Sequence, residues 1–267
     1  MIILYIKTME NDVIGYLGSP LANVAFLALL LIGASLIETV LPLVASQRSA
    51  RRVSTNLTVT AIYFLLNAFL LVGLLGALNF LGSNGRYGLG LLPVSAAWIV
   101  GIVLLDAATW TAHWSLHKSP LLWRAHAVHH SDRQVDATTT FRQHPIEGLT
   151  RIIFLAIPAL AAGVPAETFA AYRALSALNA ILEHTNVRLW QPLDTLLSFI
   201  WVTPNLHKVH HSNVELETDS NYGNLLSLFD RLFGTFTPSS RCTAVTYGLH
   251  NAPPSNVTGL MAMPFRR

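Results

Sequence analysis

Three long stretches near the start of the chain are almost free of charge. Residues 21–47 hold a single charged side chain, Glu38, residues 56–85 hold none, and residues 87–105 hold none before Asp106. A bilayer core about 30 Å thick is crossed by about 20 apolar residues in a helix. The pattern therefore predicts three membrane-spanning helices between about residues 21 and 112.

A fourth apolar stretch, residues 149–183, is interrupted by helix breakers and charges. Its two arms are short for two independent spans, and together they are long for one. We expect a hydrophobic helical hairpin, and the pattern does not decide whether it spans the whole membrane. The alternative is a pair of buried helices in a soluble lobe. The predicted fold is all-α: an integral membrane bundle of three to four spans plus this hairpin. The interruptions are Pro158, Gly163, Pro165, Glu167 and Arg173.

Composition supports a membrane protein. Of 267 residues, 52% are hydrophobic and 12% are charged, whereas soluble domains carry about 25% charged residues. This excludes a soluble single domain, and the apolar content excludes disorder. The net charge of +3 is too small to indicate nucleic-acid binding. The single cysteine, Cys242, allows neither an intrachain disulfide nor a cysteine-based metal site. We expect one domain over residues 1–267.

The distribution of basic residues predicts the orientation. Arg48, Arg51 and Arg52 lie between the first two predicted spans, and only Arg86 lies between the second and third. Because positive charge favours cytoplasmic loops, the first loop and everything after the third span are predicted to be cytoplasmic. Basic residues after that span are Lys118, Arg124, Arg133, Arg142 and Arg151.

Ten of the eleven histidines fall between residues 113 and 211. Positions i, i+3 and i+4 of a helix lie on one side, so each cluster can direct two or three imidazoles to one point. Imidazole binds iron, zinc, copper and nickel, and one tetrahedral ion takes four ligands. The count therefore indicates two metal ions, against the alternative of surface histidines at the membrane edge. The clusters are H-x3-H at 113–117 and H-x2-H-H at 126–130 and 207–211, with His144 and His184 standing singly.

Asp106 extends the first cluster into the third predicted span. Asp106, Trp110, His113 and His117 follow one stripe of a helix. A carboxylate inside a membrane is costly and usually functional. We expect Asp106 to accept a hydrogen bond from a ligand histidine, although a helix cap or an interhelical polar contact would explain it too. Glu38 could pair with an arginine of the 48–52 loop or lie near the interface.

Longer segments around these clusters carry a family resemblance. They are residues 106–117, 122–131, 139–147 with an Arg-Gln-His-Pro core, 184–186, 203–212 and 218–235. Over about residues 38–237 the chain resembles a bacterial member of the sterol desaturase and fatty acid hydroxylase superfamily. One departure is Trp114, where the family commonly has arginine, which puts a local head-group contact in doubt.

The resemblance implies a non-haem di-iron, O2-dependent membrane oxidoreductase that hydroxylates or desaturates a sterol, fatty acyl or related lipid. It implies a metal-binding cap over residues 113–148 and 184–240, on the cytoplasmic side of a bacterial inner membrane. His144 is implied as a ligand or as support for one. Apart from the resemblance, Asp219 and Asn224 could support ligand histidines. The implied ligands are His113, His117, His126, His129, His130, His184, His207, His210 and His211.

Such chemistry takes two electrons per cycle. The chain has neither a cysteine cluster for iron–sulfur nor a G-x-G-x-x-G motif for a dinucleotide. We therefore expect an external donor, a ferredoxin-like or haem protein. Spacing alone does not identify the metal. A metal transporter or metal-binding sensor is the alternative function, and a membrane haem protein is a third. Finally, apolar residues within 221–236 predict a helix.

Overall fold

The structure is a computed structural model that describes residues 20–45, 49–85, 87–249, 252 and 255–266. Arg48, Arg86 and His250 lie outside the described residues. Within them the fold is all-helical and contains no β-strand, which confirms the all-α part of the predicted fold. The helices are α1 Pro20–Val40, α2 Ala50–Ser83, α3 Val94–Lys118, α4 Pro120–His130, α5 Pro145–Ala161, α6 Ala166–His184, α7 Gln191–Leu197, α8 Pro204–His210, α9 Glu215–Thr218, α10 Leu228–Leu232 and α11 Val257–Ala262.

Three helices begin in the same way: α4 and α8, which carry histidines, and α5, which directly follows His144. Proline occupies the first helical position of α4, α5 and α8, where its missing N–H costs nothing. The preceding residues cap the free amides: Ser119 accepts from the Leu122 amide and Thr203 from the Leu206 amide. These caps determine where the helices start and hence which way each histidine points.

Two helices, α2 and α3, are long and apolar enough to cross a membrane by length and composition. Only 22% and 28% of their most apolar windows are buried, and their outer faces expose side chains such as Phe69 and Ile99. In the described part, α1 contributes a shorter apolar stretch, Ala25–Val40. The first of the three predicted spans therefore stays a prediction.

The fourth apolar stretch contains two helices, α5 and α6, which are joined by a short turn and pack mainly against α2 and α3; that they form a hairpin stays a prediction. The turn between them docks on the loop before α3, where Leu89 N donates to the Ala162 carbonyl at 2.8 Å. Gly88 and Gly163 both have positive φ, and a Cβ on either would lie 2.1–2.3 Å from a carbonyl oxygen of the other segment. Only glycine permits this close backbone contact.

The predicted helix over residues 221–236 is wrong except for α10. Asn221 has a φ of 54°, and its side chain bonds Thr237 through both the backbone carbonyl and the amide at 2.9 Å. The Leu225 and Leu226 amides donate to Asp106 at 3.1 and 2.9 Å. Because these backbone groups are bound elsewhere, the segment forms an ordered loop against α3.

Glu38 makes backbone contacts that neither sequence interpretation included. It is buried near the end of α1, and its Oε1 accepts from the Ala137 and Asn186 amides, each at 2.7 Å. Arg52, in the first turn of α2, binds Asp132 through two nitrogens, each at 2.8 Å. Glu38 thus ties α1 to the segments that follow α4 and α6.

Candidate metal centre

Nine buried histidines form two neighbouring groups. Within each group the candidate ligand nitrogens all lie within 4.8 Å of one another. Helices α3, α4 and α8 supply most of them, and the end of α6 supplies His184. The first group contains His113, His117, His126, His130 and His210, and the second contains His129, His184, His207 and His211.

The H-x2-H-H motif serves both groups at once. In α4, His126 and His130 join the first group, and the intervening His129 turns to the second. In α8 the pattern is reversed, because His207 and His211 join the second group and His210 the first. Positions four apart lie nearly one above the other, while the third position is offset around the helix. Each motif therefore links the two groups.

The nitrogen spacing fits metal coordination. In the second group the Nε2 atoms of His184, His207 and His211 are mutually 3.1 Å apart. Metal–nitrogen bonds of about 2.0–2.1 Å place neighbouring ligand nitrogens about 2.9–3.4 Å apart. In the first group, Nε2 of His117 and of His210 is buried without a hydrogen-bond partner among the described residues. Buried nitrogens without partners are costly unless something else binds them, so the residues fit two metal ions.

Several rings are held from behind by an acceptor at Nδ1. Such an acceptor keeps the ring proton on Nδ1 and leaves the Nε2 lone pair directed at the group's centre. Three acceptors are carbonyls and one is a carboxylate. They are Tyr222 O for His113 at 2.9 Å, Ser220 O for His210 at 2.7 Å, Ala180 O for His184 at 2.6 Å and Asp219 for His117 at 3.3 Å. Behind His126, Glu147 Oε1 lies 3.0 Å from Nδ1 as a close polar contact.

Burial keeps these histidines neutral. It lowers the pKa of His126, His129, His207 and His211 well below the usual value, and neighbouring histidines lower it further. The pKa of His210 falls to about 4 for the same main reason. Metal binding requires the unprotonated ring, so at neutral pH no proton has to be displaced.

The other sequence-predicted residues occupy different positions. Asp219 contacts His117 and also accepts from Lys118 Nζ at 2.6 Å. Asn224 lies in the loop after α9 and accepts from Asn179 Nδ2 through its carbonyl at 2.5 Å. His144 is in neither group: it caps α5, where its Nδ1 accepts from the Ile146 amide at 3.2 Å.

Asp106 binds the loop rather than a histidine. Its carboxylate accepts from the Leu225 and Leu226 amides and from the Tyr172 hydroxyl at 3.2 Å, and no histidine is among its hydrogen-bond partners in the described part of the chain. The carboxylate lies beside the residue 221–227 loop, and the unpaired amides of that loop satisfy it. Asp106 therefore supports the centre indirectly, through the loop that carries the Tyr222 carbonyl.

Three buried charged residues were missed by the sequence interpretation. Glu147 is fully buried between His126 and Arg151, and burial raises its pKa to about 7. Glu183 Oε1 lies 3.7 Å from His207 Nε2 and 3.8 Å from His184 Nδ1. Lys208 Nζ donates to the Glu183 and His184 carbonyls at 3.0 and 2.5 Å. The sequence offered one signal for two of them: Glu183 directly precedes His184, and Lys208 directly follows His207.

A cavity of about 70 Å³ adjoins both groups. Histidines of each group form one wall, together with Glu183. Side chains of α2, α5 and α6 form the rest, including Tyr63, Leu155, Arg151 and Arg173. The volume has room for a few water molecules or one small chemical group, at about 10–15 Å³ per water.

Fold and site together define a helical protein with two buried histidine groups suited to two metal ions, attached to apolar helices. The chain belongs to the fatty acid hydroxylase family, which matches residues 98–235. This confirms the family resemblance seen in the sequence. The matched region includes all nine grouped histidines.

Several characterised relatives are lipid-oxidising enzymes. The chain is 34% identical to the ornithine lipid hydroxylase OlsE of Rhizobium tropici over 66% of its own length and 52% of the relative's. It is 34% identical to the alkylglycerol monooxygenase of Danio rerio over 59% of its own length and 34% of the relative's. It is 29% identical to the alkylglycerol monooxygenase of Homo sapiens over 57% of its own length and 33% of the relative's. The chain thus matches about half or less of each relative. No solved structure matches it significantly.

Proposed function

We propose that this protein is an O2-dependent oxidoreductase that hydroxylates a membrane lipid, with two iron ions held by the nine grouped histidines. The observation that carries the proposal is the pair of histidine groups opening on one cavity. Hydroxylation is favoured over desaturation because the relatives are named as a hydroxylase and monooxygenases. We propose a lipid as the substrate because the names of these relatives state lipid substrates.

The roles of the chain's own residues follow from the geometry. Two bound iron ions would supply the oxygen-activating redox chemistry. The histidines hold the ions through neutral nitrogens, and the acceptors behind the rings fix their direction. The cavity positions the reacting group beside His129 and His184, and the surrounding apolar helices exclude bulk water, which protects a reactive centre from side reactions.

The proposal places α2 and α3 in a lipid bilayer. The most apolar windows of these helices are only 22% and 28% buried, whereas a core helix of a soluble protein is mostly buried. The basic residues after α3 favour a cytoplasmic location for the histidine groups, in a bacterial inner membrane. A reporter fused after residue 267 tests this: alkaline phosphatase activity without green fluorescence would contradict it.

An external donor is proposed to supply the electrons, a ferredoxin-like or haem protein. The chain's one cysteine cannot form an iron–sulfur cluster. We expect purified protein to consume O2 only when a reduced donor protein is added. Full turnover with NAD(P)H alone would contradict this part of the proposal.

Metal analysis of protein purified in detergent tests the central claim. We expect two iron ions per chain and a Mössbauer spectrum of iron with nitrogen ligands. The variant His129→Ala should lose metal and lipid oxidation together, because His129 belongs to the second group. His144→Ala is the matched control and should keep both metals, because His144 lies outside the groups. One zinc per chain without iron would refute the di-iron proposal.

A further inference from the structure

Arg173 is a cation without a partner in the wall of the cavity. It lies on α6, one face of which lines the space beside the histidines. Among the described residues no hydrogen bond or ion pair involves its guanidinium, and its buried Nε has no acceptor. An Arg side chain offers five donors in a rigid fork. The buried Nε without an acceptor is costly, and the accessible terminal nitrogens leave the fork open to a ligand in the cavity.

A second arginine lines the same cavity. Arg151 donates from Nε to Glu147 at 2.9 Å, which is the single hydrogen bond that the described residues offer it. Its terminal nitrogens are therefore free as well. Both arginines and Tyr63 of α2 line this one cavity.

The charge balance of the cavity is positive. The carboxyl group in its lining, Glu183, lies on the histidine side, 3.7 Å from His207. Glu147 already binds Arg151 and His126. Nothing anionic in the described part of the chain is placed to neutralise Arg173, and two bound metal ions would add further positive charge.

We propose that Arg173, aided by Arg151, binds an anionic headgroup of the lipid substrate, a phosphate or a carboxylate. Guanidinium groups pair with both anions through two parallel hydrogen bonds. A cavity of about 70 Å³ holds such a group but not an acyl chain, so the chain must extend outward along the apolar helices. Because histidines and arginines share this small space, the oxidised carbon lies close to the headgroup. This inference rests on the proposed function and names its substrate class.

Binding measured without turnover tests the proposal. Metal-loaded protein in neutral detergent is titrated with didecanoyl phosphatidic acid, N-decanoylglycine and the neutral didecanoylglycerol, and tryptophan fluorescence reports binding. We expect one or both anionic lipids to bind about 10- to 100-fold tighter than the neutral one, as expected for a charged hydrogen-bonded pair. The tighter of the two identifies the anion as phosphate or carboxylate. Equal affinity for all three lipids would overturn the proposal.

Two variants test whether Arg173 causes the preference for anionic lipids. Arg173→Gln should lose most of the anion preference while keeping its metal content, because removing an unpaired cation does not disturb the histidines. Arg188→Gln is the matched control: Arg188 is exposed and outside the cavity lining, so its preference should match the wild type. An unchanged preference in Arg173→Gln would overturn the assignment.

Two further outcomes separate the possible sources of failure. Inorganic phosphate should not displace the anionic lipid at equal concentration, because the acyl chains contribute to binding; efficient displacement would indicate a site for a free anion and contradict the headgroup proposal. Protein that oxidises lipid without any anion preference would refute the subsite alone. An anion preference in protein that binds no iron would refute the di-iron function alone.

Discussion

Glu147 offers the sharpest test of how the histidines are held. Its carboxylate is completely buried, 3.0 Å from His126 Nδ1 and 2.9 Å from Arg151 Nε. The Nε2 atom of His126 in turn lies 3.1 Å from that of His113 and 3.2 Å from that of His130. The carboxylate therefore lies directly behind a ring at the centre of the first group. We predict that Glu147→Gln weakens metal binding at this group.

The size of the effect follows from the contacts. Removing the acceptor behind a metal-binding histidine typically costs about 10–100-fold in metal affinity, or about 1.4–2.7 kcal/mol. The glutamine keeps the volume and one oxygen, so Glu147→Gln should fall at the low end. Glu147→Ala also leaves Arg151 without its partner, so it should fall at the high end. Occupancy should decline from two ions towards one, since the second group does not contact Glu147.

Competition with a chelator, followed by elemental analysis, measures the affinity of each variant. Glu217→Gln is the matched control, because Glu217 is also buried and binds an arginine Nε, that of Arg241, at 2.7 Å, but contacts no histidine among the described residues. Thermal unfolding of the three variants separates metal loss from general destabilisation. If Glu147→Gln retained metal as tightly as Glu217→Gln, the assigned role of Glu147 would be wrong.

Three further predictions concern stability. Lys208→Met should unfold at a clearly lower temperature, because two buried carbonyls at the end of α6 lose their donor, at about 1–3 kcal/mol each; an unchanged Tm would contradict this. Arg52→Met should cost about 3–5 kcal/mol in denaturant unfolding, since it removes the cation that the buried carboxylates of Asp132 and Asp136 both bind, and Asp132→Asn in the same background should restore part of that loss. Finally, acid should destabilise the protein: the pKa of His210 is about 4 when folded and about 6.5 when unfolded. Only the unfolded state gains the proton between these values, so stability falls as pH drops below about 6.5. Equal stability at pH 7.5 and pH 5 would refute this.

The all-helical architecture and the histidine clusters were predictable because both rest on local spacing. Helical positions three and four apart share a side whatever surrounds them, and long apolar stretches are helical in any low-polarity environment. The division of residues 149–183 into two helices was recognisable because Gly163 and Pro165 interrupt a largely apolar pattern. The distribution of the nine histidines between two groups could not be read in this way, because it depends on how α3, α4, α6 and α8 cross.

The loop over residues 221–227 shows why local pattern failed. Its apolar residues match a helical period, but Asp106, more than a hundred positions earlier, takes two of its amides. A distant carboxylate competes with the helix for the same N–H groups, and propensity is a weak prior against such tertiary contacts. The same contact diverted Asp106 from the histidine that we expected it to support.

The sequence by itself determined the all-helical fold class, the family and the residues able to bind metal. Each of these follows from residue type and short-range spacing. Only the tertiary structure decided which histidines share a group, that Glu147 lies against His126, and that Arg173 lines the cavity with no partner among the described residues. Such pairings depend on the distance between side chains on different helices. That distance is set by packing of the whole bundle, which no local stretch of sequence contains.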